Sequence, residues 1–160
     1  RALAALLPPM QAVVGCRYRC DPSGPRDLCE ECIARRAEGA GVHVLAAGPF
    51  NMEAVDRFSD AMVALYRQLP PGQRFINLTE FRGSMMATPE AWQHLATHLA
   101  RVDASGLPLV ATAWIAGPHV EGRNLFIPRG AALFAARGRV FEGFDHTDAA
   151  EAWARRKLLS

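Results

Sequence analysis

The sequence predicts an α/β fold: a small, mainly parallel sheet with helices packed on it, preceded by an irregular, cysteine-rich N-terminal segment. Three observations lead there. Beyond residue 41, short apolar runs alternate with stripes of helical period. Strands separated by helices need crossover connections, which make neighbouring strands parallel. All four cysteines fall between Cys16 and Cys32, ahead of the AEGAG run at residues 37–41 where the boundary is placed. The expected organisation is therefore a leader over 1–40 and an α/β domain over 41–160.

Before the boundary, CIARRAEG reads as a charged helical tail. Val42 to Ala46 is the first strand, and GPFN is a turn. Asn51 is an N-cap candidate for a helix reaching Leu69, because Val55, Phe58, Met62, Leu65, Tyr66 and Leu69 form one stripe. PPG ends it, and Arg74 to Phe81 is the next strand. Thr88-Pro89-Glu90 is a helix start: a hydroxyl cap, Pro at the first helical position, and an acid in the first turn. Trp92, Leu95, Leu99 and Val102 are its buried stripe. LVATAWI is a nearly all-apolar, buried strand. GPHVEGRN reads as a loop, Gly130 to Arg137 as a short Ala-rich helix, and Arg139 to Phe144 as the last strand. Asp145 or Thr147 would cap a terminal helix running through Trp153 to Leu158.

Half the residues are apolar and 21% are charged, the balance of a soluble globular protein. The net charge is +2, and neither part of the chain concentrates it, so no basic face for nucleic acid is expected. ALAALLPPM and LVATAWIAG are too short to span a membrane, and residues 2–7 are too short for a signal-peptide core. The expected compartment is the cytoplasm, where thiols stay reduced and metal or free thiols replace disulfides.

Three residues separate Cys16 from Cys20, eight separate Cys20 from Cys29, and two separate Cys29 from Cys32. Two close pairs can hold zinc tetrahedrally, and Arg17, Arg19 and Arg26 would offset thiolate charge. The competing reading is four free thiols. A redox pair at Cys29 and Cys32 is opposed by Glu30 and Glu31 between them, which raise a thiol pKa. RALAALLPPMQAVVGC followed by RYRCDP and LCEEC resembles the magnesium chelatase ATPase subunit, just downstream of its nucleotide-binding loop, over about residues 1–38. The G-x-x-x-x-G-K-[ST] loop itself occurs nowhere in the chain, so no nucleotide binding or hydrolysis is expected from it. Arg1 falls where that loop's helix would already be under way. Two expectations fit: a longer polypeptide carrying the loop, or a chelatase-derived leader on another domain.

GPFNMEAVDRF, RFINLTEF, TPEAW and FDHTDAAEAWA, in that order, resemble the SpoIIAA-like and STAS-like small α/β domains over about residues 41–157. The resemblance implies a non-catalytic binding or regulatory module, with a protein partner or a small apolar ligand. It also marks Ser84, just after the central strand, as a phosphorylation candidate. The surrounding FRGSMMATPEAW lacks the D-S-x-G pattern of STAS regulators, and Thr88 is explained as a plain cap.

Other constellations are less directive. His94 and His98 share a helix face and could hold a metal, but no Glu follows His94 as a metalloprotease would need. Met85, Met86, Trp92 and Trp114 could line an apolar pocket or simply fill a core. Asp56, Asp60, Glu80 and Glu90 show no acid/base spacing. The reading is a non-enzymatic binding or regulatory module. Its alternatives are a fragment of a magnesium chelatase ATPase subunit, which inserts magnesium into protoporphyrin, and a zinc-stabilised interaction module.

Overall fold

The computed structural model describes residues 10–14 and 33–38 as strands, and residues 41–67 and 69–160 in full. Six strands form one sheet in sequence order: β1 (Met10–Val14), β2 (Ile33–Glu38), β3 (Gly41–Ala47), β4 (Phe75–Arg82), β5 (Leu109–Ala116) and β6 (Val140–Phe144). β1, β2 and β3 pair antiparallel; β3 to β6 are parallel. Four helices follow the parallel strands: α1 (Met52–Tyr66), α2 (Pro89–Ala104), α3 (Arg123–Ala135) and α4 (Thr147–Leu159). The expected α/β architecture is present. Cys16, Cys20, Cys29 and Cys32 lie outside the described residues.

The pleat divides the sheet residues between two faces. Ile76, Leu78, Ala111, Ala113 and Ile115 point to one side and pack against Ala150, Trp153 and Ala154 of α4. Val42, Val44 and Phe75 point to the other, against Met62, Leu65 and Tyr66 of α1 and Val102 of α2. Further along that face, Trp114 packs with Phe126 and Phe134 of α3 and with Trp92 of α2. Three helices thus cover one face, and α4 covers the other. Met62 and Leu65 are fully buried; each such side chain contributes about 1.5–3 kcal/mol on leaving water.

Two helix starts match their sequence signals. Asn51 Oδ1 accepts from Ala54 N at 2.8 Å, and Thr88 Oγ1 accepts from Ala91 N at 3.1 Å. Three expectations are corrected. CIARRAEG is not helical over Ile33–Glu38: that stretch is β2, where hydrogen-bond ladders to β1 and β3 override its helical propensity. The helix expected from Gly130 begins at Arg123. Its signal is hidden because its cap is Gly122, at φ 78° with no side-chain bond, and Pro128 lies inside it. The terminal helix is capped by neither Asp145 nor Thr147. His146 holds the cap position, while Asp145 pairs with Arg123 and Thr147 Oγ1 donates to Glu80 Oε2 at 3.3 Å.

Candidate functional site

Register places Val42, Asn77, Thr112 and Phe141 in one row across the sheet, and Val44, Thr79, Trp114 and Gly143 in the next. Both rows face α1, α2 and α3. Three of these residues, Asn77, Thr79 and Thr112, are polar and buried in the middle of mostly apolar strands. They border a cavity of about 80 Å³ between the sheet and the three helices. Its remaining wall is apolar and aromatic: Phe50, Phe58, Phe81, Trp92, Trp114 and Phe126 contribute, with Leu95, Leu99 and Val102 from α2.

Asn77 is 7% exposed, and its Oδ1 has no hydrogen-bond partner. A buried acceptor left unpaired costs about 1–3 kcal/mol. Asn77 borders the cavity, so a partner for its oxygen can come from that side. Water occupies about 10–15 Å³ on this scale, so the space takes several waters or a small organic group. His98, from α2, also lines the cavity and stacks edge-on to Phe58 at 6.0 Å. Burial holds its imidazole below the usual range; Arg101 adds to that, and Asp60 opposes it. The ring is therefore neutral, with one donor and one acceptor. Tyr66, also on the wall, has its phenol pushed above its usual range by burial, against a smaller opposing pull from Arg139. The interior thus offers neutral polar groups and no fixed charge among these residues.

The charged groups lie elsewhere. Glu80, on the α4 face, has His43 Nε2 at 3.3 Å, and Arg82 Nε donates to it at 3.2 Å. The His43 nitrogen is off the line a hydrogen bond needs and is left buried without a formal partner. The neighbouring His43 holds the Glu80 carboxyl below its usual range; burial opposes this and Arg82 reinforces it. At the far end of α2, Arg137 and Arg139 donate to Asp103 at 2.8 and 2.6 Å. Burial raises that carboxyl, but the two arginines outweigh it and leave it lowered.

The residues singled out in the sequence scatter over several places. Met85, Trp92 and Trp114 meet at the cavity, whereas Met86 is exposed. His94 and His98 do not act together: His94 Nδ1 sits 2.7 Å from Asp56 Oδ1, and His98 turns inward. Ser84 is 5% exposed, and its Oγ accepts from Met86 N at 3.0 Å, so a modifying enzyme would have to open this turn. Asp56, Asp60, Glu80 and Glu90 do not converge: Asp56 pairs with His94, Glu80 with Arg82, and Glu90 sits in the first turn of α2. Among the described residues, no group of three or more His, Cys, Asp or Glu could hold a metal ion. No described helix is long and apolar enough to cross a membrane. The sequence reading missed Asn77, Thr79 and Thr112. Their signal was polar residues recurring at every second position of otherwise buried strands.

These features define a small α/β protein with a mostly apolar internal cavity. Over 39 residues, 24% of its length, the chain is 67% identical to the magnesium-chelatase 38 kDa subunit of Acidiphilium rubrum. It spans 11% of that relative's length. No protein-family model matches the chain, and no solved structure matches it.

Proposed function

We propose that residues 41–160 form a non-enzymatic binding module of SpoIIAA/STAS-like type, whose site is the cavity between the sheet and α1, α2 and α3. The observation that carries this reading is the unpartnered Asn77 Oδ1 inside an apolar space. Apolar walls with few polar groups are the general form of small-molecule sites, and the carboxamide oxygen can accept either from a ligand's donor or from a water kept beside the ligand. Nothing at the cavity resembles a nucleophile with its base, which favours binding over turnover. Among the described residues, 41–160 hold three apolar clusters of their own, which favours a core within that part, while β2 extends the same sheet. The test is a titration of the intact chain with butanol, followed by the methyl NMR signals of Ala46 and Ala91. Saturable shifts that disappear in Thr112→Ile, where the added methyl fills the space, are expected. Unmoved cavity methyls would end the reading.

The 39-residue identity supports a second reading, in which this sequence is part of a chelatase ATPase subunit. A nucleotide-binding loop encoded immediately upstream, with Mg-ATP affinity in the longer protein, would establish it. Zinc at Cys16, Cys20, Cys29 and Cys32 is a further proposal, tested by metal analysis of protein purified without chelator. Stoichiometric zinc released by Cys20→Ser would support it, and four freely titratable thiols would exclude it.

A further inference from the structure

The outer wall of the cavity carries a charge that its apolar interior does not require. Trp92 of α2 and Phe126 of α3 both line the cavity and bridge the two helices, with ring centroids 5.7 Å apart. Arg129, on α3, lies over both rings: its Cζ is 5.4 Å from the Trp92 centroid and 5.5 Å from that of Phe126. Arg129 is exposed, and Trp92, which lines the cavity, is half-buried beneath it. Among the described residues no carboxylate pairs with Arg129. Two aromatic faces position the guanidinium, and its donors stay available.

We propose that the cavity takes a small amphipathic carboxylate, its anionic head on Arg129 at the α2–α3 wall and its apolar body inside. The proposal rests on the reading of the cavity as a ligand site. An ionised head cannot enter an interior that offers only neutral polar groups, because an unpaired buried charge is far costlier than an unpaired amide. At the wall it keeps part of its hydration and meets a planar fork of donors that suits a carboxylate. The cavity volume of about 80 Å³ limits the apolar body to a short chain. An engineered apolar cavity of about 150 Å³ holds one benzene.

The experiment titrates the intact protein at neutral pH with butanoate, hexanoate and octanoate, each against the alcohol of the same chain length. Wild type, Arg129→Gln and Arg129→Lys are compared through the Ala46 and Ala91 methyl signals. At low salt, wild type should prefer the carboxylate of at least one pair by roughly two- to fivefold, the range of a solvent-exposed ion pair. Added salt should erode that preference. In Arg129→Gln it should vanish with alcohol affinity unchanged, and Arg129→Lys should keep part of it. Equal affinity for acid and alcohol in wild type, or a preference that survives Arg129→Gln, overturns the anchor and leaves the cavity standing as a site. If neither series moves the cavity methyls, the site reading falls and the anchor falls with it.

Discussion

Strands β4 and β5 face two ways, and the two sides are finished differently. Toward α4 they present Ile76, Leu78, Ala111, Ala113 and Ile115, which close on Ala150 and Trp153. The polar residues on that side gather near the end of β4, where Glu80 accepts from Arg82 and Thr147 and His43 Nε2 of β3 lies beside it without a hydrogen bond of its own. Toward α1, α2 and α3 the same strands present Asn77, Thr79 and Thr112 in the middle of the core, beside empty volume. A chain selected only for stability would fill that side too, because voids and unpaired amides both cost free energy. The contrast sets a closely packed face against one that leaves buried polar groups beside a cavity.

The strongest way to break the comparison is Trp153→Ala. Trp153 is buried on the α4 face and packs against Phe144 at 5.6 Å. Its loss should destabilise the protein by about 3–5 kcal/mol in denaturant titration. Butanol affinity of the remaining folded protein should be unchanged; a loss of affinity would show that the faces are not independent. A smaller effect is expected from Gly130→Ala. A Cβ there would meet the Trp114 ring at 2.5 Å, and Trp114 is wedged among Phe81, Phe134 and Phe141. Overpacking should outweigh the gain in helix propensity and cost about 1–2 kcal/mol. A rise in stability would mean that Trp114 can move into the cavity.

Asn77→Leu should act in the opposite direction. Removing the unpaired acceptor and filling part of the void should raise stability by about 1 kcal/mol while abolishing alcohol binding. A destabilised variant would show that ordered water already satisfies Asn77. The smallest effect concerns His98. Its folded pKa lies below the unfolded value of 6.5, so the unfolded chain takes up the proton first as pH falls. The contribution of neutral His98 is complete above the unfolded pKa. It declines as pH drops through that value towards the folded pKa. Denaturant midpoints at about pH 7.5 and about pH 5 should therefore differ less in His98→Leu than in wild type, in a range above that of the lowered Glu80 and Asp103 carboxyls.

Much of the scaffold was legible because its signals are local. Asn51 and Thr88 announce their helices through caps that the structure forms, and the Val55–Tyr66 stripe is the buried face of α1. α3 was read only in its Ala-rich second half, because its start carries no side-chain cap signal. Gly122 caps it without a side chain, Pro128 interrupts it, and packing against β6 and Trp114 sustains it. The site was legible in part. Trp92, Trp114 and Met85 stood out as candidates for a pocket or a core. Asn77 and Thr112, 35 positions apart in sequence, become neighbours only through the β4–β5 register. Arg129 looks like any surface arginine until its two rings are seen.

The Asp103 pair with Arg137 and Arg139 has a mechanical consequence. It fastens the C-terminal end of α2 to the turn that follows α3, and Arg139 Nη1 adds a bond to Leu109 O at 3.0 Å. At their other ends the two helices touch through the Trp92 and Phe126 rings, a contact without directional bonds. α2 and α3 are thus arranged like the arms of a clothes-peg, riveted at one end and merely resting together at the other. The directional hold on the pair is therefore at one end only, and the other end depends on how well the two rings stay packed.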